Sequence, residues 1–197
     1  MPRSNEKSNR RQHILQALAR MLETSASARI TTAALAEEVG FSEAALYRHF
    51  PSKTRMFEGL IDFAEEALFS RIRVILDSED TTAGRCYRIL QLMLTFAERN
   101  PGITRILTGE ALVGETERLY SRVSQLFDRV ETQLRQVIRE GEVREGLQTA
   151  MTTTDTVTLM MAVAEGKVRQ YVRSGFSRLP TTAWQDQWQV LSQGLFR

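Results

Sequence analysis

The sequence predicts an all-α protein: a small N-terminal helix-turn-helix head followed by a larger helical body. Apolar residues recur at three- and four-residue spacing through most of the 197 positions, which is the pattern of amphipathic helices. Proline and glycine are sparse, at 4 and 11, which favours long helices over a turn-rich sheet protein. No stretch alternates as a strand would, and there is neither an internal repeat nor a low-complexity segment. At 42% apolar and 25% charged, the chain has the composition of an ordinary globular protein, long enough to bury a substantial core.

Charge distribution says more than the net value of +2. Residues 1–57 hold nine Lys/Arg against five Asp/Glu, and the remainder holds seventeen against nineteen. A basic piece on a slightly acidic body fits a nucleic-acid-binding head. Residues 1–9 are polar and are expected to lack order. Arg10-Arg11 then lead into a helix over 9–23, either as a solvated helix start or as a flexible cationic arm able to touch phosphates. Ile14, Leu15, Leu18, Met21 and Leu22 form its apolar stripe, and the small polar run 24–29 reads as a loop.

Thr31-Thr32 precede a second short helix over 33–39. A threonine there caps the helix, and the same end can hold a DNA phosphate. Gly40 suits the left-handed residue that ends it. Ser42 caps a third short helix, and Pro51, which lacks an N–H, stops it. Leu46 and Phe50 lie four apart and share one face, which docks on a core. Tyr47, Arg48 and His49 are left to cluster outward, with Lys53 just beyond. A phenol, an imidazole and cations on a short mounted helix suit the major groove of DNA, and helix, tight turn, helix is the arrangement that reads it.

A long helix over 53–76 follows. Met56, Leu60, Phe63 and Ala67 form one apolar line, and Phe57, Ile61, Ala64, Leu68, Ile72 and Ile75 another, so packing on both sides is expected. Residues 77–80 break the pattern. The next helix, from 81 or 82 to 99, is the most continuously apolar segment and should form the centre of the body. Asn100-Pro101-Gly102 ends it, and a shorter helix over 103–111 follows. Residues 115–140 carry apolar positions at near-heptad spacing with one solvated side. Residues 141–150 form a connection, and two further helices cover 157–171 and 180–196. These last two pair either with those of a second copy, as a four-helix bundle, or within the chain.

The residues offer no catalytic or metal chemistry. His13 and His49 have no cysteine near them, and no zinc-ligand spacing, phosphate loop or nucleophile motif occurs. Glu37-Glu38 and Glu65-Glu66 are helical neighbours pointing about 100° apart, not facing pairs. Cys86, the single cysteine, reads as a buried, inert thiol. No apolar run approaches the ~20 residues that cross a bilayer, nor is there a signal-peptide core. The expectation is a cytoplasmic protein that is not an enzyme and needs no cofactor.

The run 30–36 with 40–53, marked by Tyr47, His49-Phe50 and Lys53, resembles the DNA-binding domain of the TetR family. That resemblance implies a TetR-like dimer. Residues 1–52 would be a three-helix DNA-binding domain, and residues 53–197 a helical dimerisation and regulatory body whose last two helices pair. Residues 42–57, 97–109 and 125–140 are further similar to the nucleoid occlusion factors within that family, the similarity weakening after about residue 142. The similarity implies a nucleoid-associated homodimer on palindromic DNA that binds the C-terminal tail of the division protein FtsZ and opposes ring assembly. Carried over by position, the DNA-contacting residues are Thr31, Thr32, Ser42, Ala44, Tyr47, His49 and Lys53, beside the Arg10-Arg11 arm. The implied tail-binding groove, between the long linker helix and the apolar central helix, maps to Phe63, Arg71, Leu92, Arg99 and Asn100, with core packing the alternative for Phe63 and Leu92. Thr95, Glu110, Val113-Gly114, Gly175 and 177–179 depart from the pattern of those factors. A TetR-type repressor released by a small apolar ligand is the alternative.

Overall fold

The computed structural model describes residues 3–24 and 30–197, without side chains for 3–8. Its helices are α1 (Arg3–Thr24), α2 (Thr32–Glu38), α3 (Glu43–His49), α4 (Lys53–Ser78), α5 (Thr82–Arg99), α6 (Pro101–Leu107), α7 (Glu117–Arg144), α8 (Thr153–Arg173) and α9 (Trp184–Leu195), with one 3-10 turn at Glu110–Leu112. The fold is all-α. Among the described residues, the only strand-like feature is an isolated bridge between Thr149 and Phe196. Two compact units form: the described residues up to Ala64 with Asn100–Val123, and Glu65–Arg99 with Ser124–Arg197.

In the first unit, α1 packs against α2, α3 and α6. Ile14, Ala17, Leu18 and Leu22 of α1 are buried with Leu35, Leu46, Phe50, Met56, Phe57, Leu60 and Ile61. The contact between α1 and α6 is close enough to dictate a glycine. A Cβ on Gly102 would stand 2.0 Å from the Ala19 carbonyl oxygen, so any side chain would push the two helices apart. α6 ends at Leu107, where Gly109 takes φ +81.

In the second unit, α5 is the central element, with Cys86, Ile89, Leu90, Met93, Leu94, Phe96 and Ala97 buried against α8 and α9. Its start is held by Glu145. That carboxylate accepts from Thr82 Oγ1 at 2.6 Å and from the Thr82 N–H at 3.0 Å. The Thr82 hydroxyl lies 2.0 Å from where a Cβ on Gly141 would be. Burial, then the Glu145 charge, pushes the Cys86 thiol up to about 12, and a thiol held protonated is inert. Trp184 and Trp188 of α9 are buried, Trp188 at 6.2 Å from the Tyr87 ring.

Several expectations from the sequence need correction. α1 begins at Arg3, so the predicted lack of order over 1–9 fails for the described part, because glutamate, lysine and arginine are good helix formers. Positions 1–2 of that stretch, and 25–29 of the predicted loop, lie outside the described residues. The helix expected over 103–111 starts earlier and breaks at Gly109. α7 runs on through Gly141 to Arg144, into the predicted connection. α9 starts at Trp184, not 180, after Ala183 at φ +53. Phe63, expected in an apolar stripe, is 51% exposed.

Replacing Gly102 by alanine should therefore be costly, because the atom it meets is backbone. Overpacking of about 1–3 kcal/mol is expected, which at about 2–4 °C per kcal/mol is a drop of several degrees in Tm. Thermal unfolding followed by circular dichroism checks it, and an unchanged Tm would contradict the close contact.

Candidate nucleic-acid interface

Two capping residues and one glycine build the reading head. Thr31 Oγ1 accepts from the Ala34 N–H at 3.1 Å and opens α2. Gly40, at φ +69, turns the chain, and the Phe41 N–H closes the turn onto the Ala36 carbonyl at 2.8 Å. Ser42 Oγ accepts from the Ala45 N–H at 3.2 Å and opens α3. In both caps the hydroxyl oxygen serves the helix, while its own hydrogen remains able to donate outward.

α3 has only seven residues, and a helix so short is not stable alone in water. Its inner face supplies the hold: Leu46 is fully buried and Phe50, just past its end, is 1% exposed. The Arg11 guanidinium lies 4.3 Å above the Phe50 ring, a contact contributing about 0.5–1 kcal/mol where exposed. Arg11 Nη1 also reaches the His49 carbonyl at 3.4 Å. Arg10 and Arg11 thus lie within α1, not on a flexible arm, since Phe50 gives the second arginine a surface to pack on. On the outer face, Ser42, Glu43, Ala44, Tyr47 and Arg48 are exposed. His49, expected to point outward, is half-buried and stacks on Phe41 with ring centroids 6.3 Å apart, while His13 meets the same Phe41 edge-on at 6.2 Å.

Lys53 is engaged within the protein. Its Nζ is 2.7 Å from Glu115 Oε1 and 5.4 Å from the Phe57 ring centroid. Two further ion pairs link α4 to the start of α7. Arg118 Nε is 2.5 Å from Glu58 Oε1, and Arg122 Nη2 is 2.7 Å from Asp62 Oδ1. Glu58 is buried, and its other oxygen takes Arg55 at 2.8 Å, so the carboxylate is doubly neutralised, as a buried charge must be.

The candidate partner residues divide between the two units. In the first, Phe63 is exposed, and Asn100 is half-buried, its carbonyl accepting from the Thr104 N–H and hydroxyl at 2.9 Å each. In the second, Arg71 and Arg99 are exposed and Leu92 is half-buried. Thr95 accepts from Gln91 Nε2 at 3.0 Å, and Glu110 pairs with the buried Arg105. Among the described residues no group of three or more His, Cys, Asp or Glu could hold a metal. No helix there is long and apolar enough to cross a membrane.

Sequence reasoning missed two carboxylates. Glu43 accepts from Thr32 Oγ1 at 2.9 Å, and Tyr47 Oη donates to that same Thr32 oxygen at 3.3 Å. The i to i+4 spacing of Glu43 and Tyr47 was a visible signal. Glu115, 62 positions from Lys53, left none.

Comparison with known proteins identifies related chains. Residues 14–60 match the family model of bacterial regulatory proteins of the tetR family. Residues 80–196 match an SlmA-like model described as "Tetracyclin repressor-like, C-terminal domain". The chain is 57% identical over 194 residues to the nucleoid occlusion factor SlmA of Shewanella pealeana, covering 98% of each. It is also 57% identical over 192 residues to SlmA of a Marinomonas species, again covering 98% of each. Among solved structures it is similar to a TetR transcription regulator from Haloarcula marismortui. There the TM-score is 0.79 at 21% identity, covering 96% of this chain and all of the other. It also resembles FadR from Bacillus subtilis, with a TM-score of 0.75 at 12% identity, covering 93% and 98%. These structural likenesses show the fold.

The Lys53–Glu115 pair is partly shielded from water, at 25% and 14% side-chain exposure. A double-mutant cycle of Lys53→Met and Glu115→Gln, read by urea unfolding, should return a coupling of about 0.5–1 kcal/mol. A coupling of zero would mean that the two charges do not meet in solution.

Proposed function

Because the chain belongs to the SlmA family of TetR-type nucleoid occlusion factors, we propose that it reads palindromic chromosomal sites and, while bound, takes hold of the FtsZ C-terminal tail. Division-ring assembly over the nucleoid is thereby opposed. In this reading residues 1–52 are the DNA-binding domain, residues 53–197 are the helical body, and the protein works in the cytoplasm on the nucleoid, without a cofactor.

The observation that carries the DNA half is the two-faced α3: Leu46 and Phe50 buried, Ser42, Ala44 and Tyr47 exposed. A helix held from behind and open in front can enter a major groove without paying to order itself on arrival. Ser42 and Thr31 have hydroxyl hydrogens to offer phosphates, and Ala44 can meet a thymine methyl. Lys53 can reach a phosphate only by exchanging the Glu115 carboxylate for it. His49 and Arg11 stand close behind α3 and support its end, while Arg10, exposed on α1, offers a cation to the backbone.

A palindrome calls for a two-fold protein. α8 and α9 present Leu159 at 40% and Val190 at 74% exposure, beside the small Ala162 and Gly166. These faces support pairing with the same helices of a second copy. For the tail, Phe63 supplies an exposed phenyl and Leu92 further apolar surface. Arg71 and Arg99 add exposed cations, and Asn100 adds an amide. Carried over by resemblance, these side-chain types suit a short peptide that is both apolar and acidic.

The test is titration of a labelled FtsZ tail peptide against the full chain, with and without a palindromic duplex. Tight binding is expected only with the duplex. Arg99→Asp should abolish it while leaving duplex affinity within about twofold, because the substitution reverses one contact charge on the body. A wild-type chain that binds the duplex and ignores the peptide would contradict the division role and favour a plain repressor.

A further inference from the structure

The hydrogen bonds across the front of the reading head run in one direction, and the direction fixes what Tyr47 can bond. Glu43 and Tyr47 sit four residues apart on α3, and Thr32, the first residue of α2, spans them. An ionised carboxylate can only accept, so Glu43 Oε2 takes the single hydroxyl hydrogen of Thr32, at 2.9 Å. The Thr32 oxygen then has only lone pairs to offer, and it takes the phenol hydrogen of Tyr47, at 3.3 Å. Tyr47, 41% exposed, is left presenting lone pairs alone.

A group with lone pairs alone cannot bond a phosphate oxygen, which is itself an acceptor. In the major groove the available donors are the amino groups of adenine N6 and cytosine N4, whereas guanine N7 and O6 and thymine O4 are acceptors. We infer that Glu43 is a positioning residue for sequence readout: acting through Thr32, it holds Tyr47 as a hydrogen-bond acceptor for the amino group of an adenine or a cytosine. The inference rests on the DNA-reading role proposed above. It also separates the two adjacent threonines. Thr31 caps α2 and keeps a hydrogen for a phosphate, while the hydrogen of Thr32 is committed to Glu43.

The test begins with a duplex selected by the full wild-type chain from a random-sequence pool. Affinities for every single-base-pair substitution of that duplex are then measured for the wild type, Tyr47→Phe, Glu43→Ala and Thr32→Val. Discrimination should fall about tenfold at one shared base pair of each half-site, an A·T or C·G pair, in all three variants. The Tyr47→Phe/Glu43→Ala double variant should lose no more at that pair than either single variant. Removing the Glu43 charge should raise affinity for all duplexes alike, so the ratio between sequences is the readout, and equal melting temperatures confirm folded variants. The inference is overturned if Glu43→Ala weakens discrimination at a different pair from Tyr47→Phe, since Glu43 would then touch a base itself. Unchanged discrimination in Glu43→Ala overturns it equally. A wild-type chain that selects no duplex would instead overturn the DNA reading, and this inference with it.

Discussion

The burial of Leu46 and Phe50 behind α3 is the contact on which the reading head depends. Seven residues pay the nucleation cost of a helix and recover too little of it through their own hydrogen bonds. Full burial of a leucine or phenylalanine side chain contributes about 1.5–3 kcal/mol each, enough to turn a transient turn into a fixed element. Those side chains need a floor, and Ile14, Leu18, Phe57 and Ile61 are buried in the same unit to provide it. With the inner face committed, Ser42, Ala44 and Tyr47 are exposed by default. The candidate functional face of α3 is what packing leaves over.

Other features of the first unit protect that arrangement. Gly102 lets α6 press its backbone against that of α1, and the three ion pairs Lys53–Glu115, Glu58–Arg118 and Asp62–Arg122 run in order along α4 and the segment from Glu115 into α7. The three are unequal. Glu58 is buried and cannot lose its partners without leaving a stranded charge, whereas Asp62 is mostly exposed and its pair is screened. Lys53 falls between, shielded enough to be held yet placed at the edge of the reading head. Under the DNA-reading role proposed above, the first pair is the one that a phosphate contests, and the buried Glu58 pair is the one that keeps α4 and α7 together.

Local signals made the head legible in the sequence. Ser42, Gly40 and Pro51 act within a turn or two of where they stand, and the Leu46–Phe50 spacing reports a helical face directly. The structure keeps each of these. What escaped depends on residues far apart in sequence. Nothing near Lys53 announces Glu115, and nothing near Gly141 announces the Thr82 hydroxyl that requires a glycine there. Phe63 fits an apolar stripe by spacing, yet it is exposed, because periodicity reports which residues share a face and not whether that face is covered. Glu43 was overlooked for a different reason: as an exposed acid at a helix start it has an ordinary explanation, and only the geometry of Thr32 and Tyr47 gives it another. The candidate partner residues Arg71, Arg99 and Asn100 rest on resemblance alone, since polar side chains at a surface carry no periodic signal.

If α3 is held as described, it has no independent existence, and native-state hydrogen exchange measures that most directly. The amides of Leu46 and Phe50, bonded to the Ser42 and Leu46 carbonyls at 3.0 Å, should exchange through the same opening, at the same free energy, as the buried amides of Ile14 and Leu18. Exchange of the α3 amides through a cheap local opening, with α1 still protected, would show that the recognition helix folds on its own terms and would contradict the account.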